Sequence, residues 1–254
     1  MTARPLPRRR SALMFAATLA ATAVLPANSA FAWGNNVDGN GRIKTEARTA
    51  TGFHGVSMSL PGSVELRIGN AESVTVETDD NLLPLIETVV ENGVLQIRTV
   101  KRNTGLSSRH MKFIVQARSI DRLALGGSGN INADTVRGSK VSVDLGGSGN
   151  INLKNVEAES LSVDLGGSGD LKVDNGRAAQ LSLAIAGSGN IDLGRLQSRV
   201  AKASIAGSGE ATINVSDQLD ASIVGSGDVN YYGDPRVSKS VMGSGSTNRV
   251  GARR

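Results

Sequence analysis

The chain has 254 residues, 39% of them hydrophobic but only 3% aromatic, with a formal net charge of +5 and no cysteine. The lack of cysteine excludes a disulfide framework, a thiol nucleophile, a Cys-based metal site and a lipid-modified N-terminal cysteine. Nucleic-acid binding by counterion release needs a concentrated basic surface; the one run of three cations, Arg8 to Arg10, falls in a leader, so nucleic acid is excluded as a partner.

Residues 1–32 read as that leader. Arg4, Arg8, Arg9 and Arg10 precede an alanine-rich apolar run, Ser11 to Leu25, and Ala30 and Ala32 fit a small-x-small cleavage site before Trp33. This is the layout of a secretory signal peptide, and it places the protein outside the cytoplasm: in the periplasm, at the cell surface or secreted. The apolar run is shorter than the roughly 20 residues a membrane span needs, and no later stretch is long enough, so the mature chain is expected to have no transmembrane segment. Removing four arginines from the 28 Lys plus Arg leaves 24 against 23 acids, a net charge of +1. N-terminal sequencing of the exported protein is expected to begin at Trp33; a mature chain that retains Ser11 to Leu25 overturns the cleavage.

Residues 33–52 are polar and rich in Gly and Asn, which predicts a flexible linker. From Phe53 strand patterns begin: "GVSMSL", "SVELRI", "SVTVET", "VLQIRT" and "KFIVQA". Between them "DDNLLPLIETVV" predicts a short helical or irregular crossing, since Pro84 breaks any central strand. The spacing predicts that residues 53–122 are irregular N-terminal coils of one domain that runs to 245, because the open end of a stacked fold needs atypical terminal units.

Residues 123–245 carry a repeat. Gly-Ser-Gly recurs with its serine at Ser128, Ser148, Ser168, Ser188, Ser208, Ser226 and Ser244, at spacings of 20, 20, 20, 20, 18 and 18. A short fixed period marks a solenoid built of one structural unit per repeat. Within a unit, Val141, Val143 and Leu145 alternate with Ser142 and Asp144, and Ile151 and Leu153 alternate with Asn150, Asn152 and Lys154. Such alternation reads as half-buried strand. Each unit is therefore strand, Gly-Ser-Gly bend, strand and a polar connection such as "NVEAES". The fold class is all-β: a β-solenoid, a parallel β-helix-like two-sheet superhelix with Gly-Ser-Gly turns every 18–20 residues. An antiparallel meander shares the alternation, but identical units stack most naturally in parallel and in register. Glycine supplies the bend, and Asn130, Asn150, Asp170, Asn190, Glu210 and Asp228 form a ladder whose acidic members interrupt it. Residues 246–254 read as a polar tail.

The chemical readings of Gly-Ser-Gly fail one by one. A hydrolase elbow needs Gly-x-Ser-x-Gly, a following helix and a histidine base; Asn130, Asn150 and Asn190 stand where the second flanking glycine belongs, and a strand follows. The calcium-binding nonapeptide needs an acid where Ile131, Ile151 and Leu171 stand. A phosphate loop needs a helix and a lysine after the glycines. His54 and His110 are the only histidines, too few for a zinc site. No catalytic, cofactor-binding or metal residue is assigned, and no cofactor is expected. A polysaccharide enzyme on this scaffold needs clustered carboxylates with a cation; Lys154, Lys172 and Asp174 contribute without forming a distinct cluster. Tyr231 and Tyr232 are the only adjacent aromatics, and alternation turns one of them inward, in a capping layer.

The ordered pattern "GFHGVSMSLPGSVELRIG", "SVTVETDDNLLPLIETVVENGVLQI" and the serial "GSGNI/GSGDL" turns resembles the head GIN domain family of auto-transporter adhesins, over about Phe53 to Tyr232. The resemblance implies a two-sheet β-superhelix related to pectin-lyase-type folds, no catalytic residues and an adhesion role. The expected function is thus an exported, non-enzymatic β-solenoid that binds a cell-surface glycan or protein, of undetermined oligomeric state. The alternatives are a polysaccharide-active enzyme on a pectin-lyase-like scaffold and a periplasmic structural or envelope-stress protein.

Overall fold

The structure, a computed structural model, describes residues 35–251; the expected leader lies outside them. The described residues fall in one compact unit. Strands β1 (Asn35–Asp38), β2 (Ile43–Arg48), β3 (Gly55–Met58), β4 (Ser63–Ile68) and β5 (Ser73–Asp79) lead to a 3-10 turn at Leu83–Leu85. Then come β6 (Ile86–Glu91), β7 (Val94–Thr99), β8 (Thr104–Ser107), β9 (Lys112–Ala117) and β10 (Arg122–Leu125). The repeats form β11 (Asn130–Gly147), β12 (Asn150–Gly167), β13 (Asp170–Val173), β14 (Gly176–Gly187), β15 (Asn190–Gly207), β16 (Glu210–Gly225), β17 (Asp228–Tyr232), β18 (Arg236–Gly243) and β19 (Ser246–Gly251).

The solenoid is parallel and in register. Val143 pairs with Val163 and Val163 with Leu183, so equivalent residues of successive repeats lie over one another. All three are buried, as are Leu145, Leu165 and Ile185 two positions on. One face runs through the segments before each Gly-Ser-Gly, the other through the segments after it. The connections differ from the expectation of polar loops. Thr135–Gly138 pairs in register with Asn155–Ala158, and Val136, Val156, Ala178 and Leu196 point into the core. They form a short third face: Val136, Val156 and Leu196 share one column, with Gly176 between the last two, and Ala178 lies inward two positions on from Gly176.

The bend itself is built from backbone. The Gly147 carbonyl accepts from the N–H groups of both Ser168 and Gly169, at 3.0 and 3.2 Å, and Gly167 does the same for Ser188 and Gly189. Gly167 has φ +139°, a conformation open essentially to glycine alone, and a Cβ there would lie 2.2 Å from the Gly147 oxygen. Gly169 is restricted only by closeness, since its Cβ would lie 2.2 Å from the Gly149 oxygen. The serine between them is exposed and contributes its N–H. Ser168→Ala is therefore expected to change stability by less than about 0.5 kcal/mol, as at ordinary surface sites, and to leave any binding intact. A folded Ser168→Ala protein that has lost its function would restore the chemical reading.

The N-terminal coils depart from chain order. β3 and β4 form a coil below β10 and β11, while β7 and β9, later in sequence, add the coil beyond it. β6 then covers β7, and β5 covers β9, both antiparallel, with β2 antiparallel on β5. These reversed strands close one end of the stack. The core there holds Phe53, Phe113, Leu82 and Ile86, all buried.

Two boundary expectations are corrected. Within residues 33–52, β2 pairs with β5 along its whole length and β1 pairs with β8, so the described part is not a flexible linker. At the other end, Ser246–Gly251 pairs with β17 and is a terminal strand, not a polar tail. The side-chain ladder runs in separate pairs. Asn150 donates to Asn130 at 2.9 Å and Asn190 to Asp170 at 2.8 Å. Asp170 accepts from Asn190 on one side only, because the Asn150 amide on the other side donates back to Asn130, so the ladder breaks at the acid as the sequence predicts.

Candidate binding surface

The face carried by β4 and the first halves of β11 and β12, with β13, is studded with polar side chains repeated once per layer. Glu65, Asn132, Asn152 and Lys172 share one column. Asn152 donates to Asn132 at 3.1 Å, and beside them Lys154 Nζ meets Asp134 Oδ1 at 2.5 Å. Lys172 pairs with Asp174 at 3.3 Å, while Glu65 is held by Lys112 at 2.7 Å and Arg67 at 3.2 Å. All of these side chains except Lys112 line a groove of about 470 Å³. The sequence singled out Lys154, Lys172 and Asp174; the fold brings them together with Glu65 and Asp134, from strands about 90 residues and one layer away, respectively. Only the register reveals Glu65, because it precedes the repeat.

Exposed ion pairs are worth only about 0–1 kcal/mol each, so a polar ligand can exchange them for its own bonds at small cost. A glycosidase needs a carboxylic acid whose pKa is raised toward neutrality. Glu65 is shifted the other way: the hydrogen bond from Lys112 leads, with the charges of Lys112 and Arg67 adding, and together they keep its carboxyl below the usual range. Glu91, Asp79 and Asp217 are also more acidic than usual.

Ser108, His110 and Asp79 come close at the closed end, in a depression of about 740 Å³. They do not form a relay. Ser108 Oγ donates directly to Asp79 at 2.5 Å and bonds the backbone of His110, whose Nε2 instead faces Glu77 at 2.7 Å. His54 Nδ1 faces Asp121 at 2.8 Å. Both histidines are half-exposed partners of a carboxylate. Among the described residues no three His, Asp or Glu groups are placed to hold a metal ion. Tyr231 packs on the core, and Tyr232 next to it is half-buried.

Asp79 gives a pH prediction. It is buried and accepts from Ser108 Oγ and Gly41 N, and the Ser108 bond is the main cause of its lowered pKa. A carboxyl whose folded pKa is lowered contributes stability above its unfolded pKa of about 3.9, and that contribution is lost as pH falls through the folded value. Asp79→Asn is expected to lower the melting temperature at pH 6, with the gap to the parent narrowing steadily below about pH 4. An unchanged gap down to pH 2.5 counts against Asp79 as the linked group.

The fold and this surface define a non-sequentially capped β-solenoid that displays a regular polar face. The chain belongs to the family described as "Putative auto-transporter adhesin, head GIN domain", whose model matches residues 52–235. No functionally curated protein matches it. Among solved structures it is similar to a "putative lipid binding protein" from Parabacteroides distasonis, with 30% identity over 85% of this chain and 100% of that one and a TM-score of 0.71. It shares its fold with a "putative adhesin" from Bacteroides fragilis, at 22% identity, 84% and 100% coverage and a TM-score of 0.78. A "putative adhesin" from Parabacteroides merdae matches at 20% identity, 85% and 99% coverage and a TM-score of 0.67. No helix among the described residues is long and apolar enough to cross a membrane.

Proposed function

We propose that the protein is an exported, non-enzymatic, adhesin-like scaffold of the cell envelope or surface, and that the groove of Glu65, Asn132, Asp134, Asn152 and Lys154 binds a surface glycan or protein. The observation that carries this reading is the layer-by-layer repetition of donors and acceptors on a rigid face. A sugar chain or extended backbone offers hydroxyls or amides at comparable intervals, so several weak bonds form at once without ordering a loop. The adhesin family and the leader are consistent with a position outside the cytoplasm.

Cell fractionation, a glycan array and pull-down from envelope extracts with the tagged protein test it together. Asn152→Ala with Lys154→Ala is expected to weaken capture about tenfold, or about 1.4 kcal/mol, while Ser162→Ala on the other face leaves it unchanged. Capture that survives the double variant places the site elsewhere, and turnover of any glycan makes the protein an enzyme. A lipid reading has one observation in its favour besides the relative's name: a shallow groove of about 550 Å³ runs along Gly146, Gly166, Ala186, Ala206 and Val224. Lipid vesicles belong in the same panel for that reason.

A further inference from the structure

The two ends of the solenoid are unlike. Reversed strands β5 and β6 close the end beyond β7 and β9. At the opposite end β18 pairs with β16 and β19 with β17, and no described strand pairs with their outer edges. Every residue of β18 is exposed, although its register continues the core. Val237 lies over Leu219 and Val241 over Ile223, and both are about 40% exposed where their partners are buried. The last bend repeats the earlier ones, with the Gly225 carbonyl accepting from Ser244 and Gly245. The end therefore offers apolar inward positions and an unpaired ladder edge in the geometry of one more layer.

One residue breaks the column. Lys239 stands over Ala221, and Ala221 over Ala203, so a cation occupies an inward position that is Ala in the two layers below. It makes no ion pair among the described residues. Arg236 lies on the same strand, and Arg249 on β19 is held by Asp234 at 3.4 Å. Arg253 and Arg254 follow in sequence. Two copies meeting end to end through a two-fold axis would bury both Lys239 ammonium groups at one interface with no acid on β18 to meet them, which is strongly unfavourable.

We propose that the β18 edge is a strand-acceptor site for an extended acidic segment of another protein, about eight residues long, that adds the next layer by main-chain hydrogen bonds. Its apolar side chains cover Val237 and Val241, and an Asp or Glu between them meets Lys239. Strand addition supplies affinity through the backbone, and alternate side chains supply specificity. The lysine sets that specificity, because a wholly apolar strand would bury an unpaired ammonium. In the free protein the same lysine keeps the edge from self-association, as inward charges on edge strands do. A lipid surface would satisfy the charges but not an ordered row of N–H and C=O groups.

The test uses the purified protein and two acetylated eight-residue peptides that alternate valine with serine, one with a central glutamate at the valine-facing register and the other with lysine there. Fluorescence anisotropy is expected to show the glutamate peptide binding at least tenfold tighter than the lysine peptide. Lys239→Glu should reverse that order at an unchanged melting temperature, since the side chain is exposed. Ser240→Glu, on the outward side of the same strand, should leave the order as it is. Backbone amide signals of β18 should shift on binding. The proposal is overturned if neither peptide binds, if both proteins rank the peptides alike, or if sedimentation shows a dimer. Binding to phosphatidylglycerol vesicles with no peptide binding overturns it in favour of a lipid surface.

Discussion

Gly167→Val is expected to melt about 8–16 °C below the parent, for a mid-range loss of about 4 kcal/mol at about 2–4 °C per kcal/mol for a chain of this size, while Gly166→Val melts within a few degrees of it. The two glycines are neighbours in sequence but not in what surrounds them. At Gly167 the backbone has φ +139°, and a Cβ would stand 2.2 Å from the Gly147 oxygen and 3.0 Å from its carbon. The first effect costs about 1–3 kcal/mol, and forcing atoms into a packed layer about 1–3 more. The intruded atoms are backbone, so no side chain can rotate away. The Gly147 carbonyl would also lose the N–H groups of Ser168 and Gly169. At Gly166 a Cβ meets nothing within 4 Å. The chain already shows this tolerance: in later layers the Gly166 position is Ala186, Ala206, Val224 and Met242, whereas the Gly167 position stays Gly187, Gly207, Gly225 and Gly243. Thermal melts of the two variants decide it, and equal melting temperatures would mean that the bend does not stack layer on layer.

The same columns explain how far the sequence could be read. Between residues 123 and 245 the period and the alternation act together, so register follows from counting, and Val143, Val163 and Leu183 fall in the core where counting puts them. Before residue 123 only the alternation is left. It identifies strands such as Ser63–Ile68 and Lys112–Ala117 but not their partners, because parallel and antiparallel neighbours have the same period of two. The reversal of β5 and β6, and the insertion of β7 and β9 beyond β3 and β4, are set by contacts that no repeat records. β2 was hidden for a different reason. It is an edge strand with mostly exposed side chains, so it needs little apolar content and reads as linker. The candidate groove was half legible for the same cause: Lys154, Lys172 and Asp174 lie inside the repeat, and Glu65 and Arg67 lie outside it.

Val163→Asp is expected to unfold or insolubilise the protein, whereas Ser162→Asp should cost little. Val163 is 1% exposed, between Val143 below and Leu183 above in the ladder, and belongs to the hydrophobic core. An ionised carboxylate there has no partner, and an uncompensated buried charge costs about 3–5 kcal/mol, a large share of the about 5–15 kcal/mol of a typical domain. Protonation avoids the charge but leaves a buried acid without hydrogen bonds. Ser162 is the adjacent residue on the same strand and faces outward beside Asp164, with its Oγ 3.3 Å from that carboxylate. Ser162→Asp therefore places two acids on one exposed face, a repulsion of about 0.2–1 kcal/mol that water and salt reduce. Because each layer touches only its neighbours, the Val163 defect breaks both interfaces of one coil, and the melt should broaden as well as shift. A thermal comparison of the two variants tests the register directly: similar melts, or a lower one for Ser162→Asp, would put the wrong face of the strand in the core.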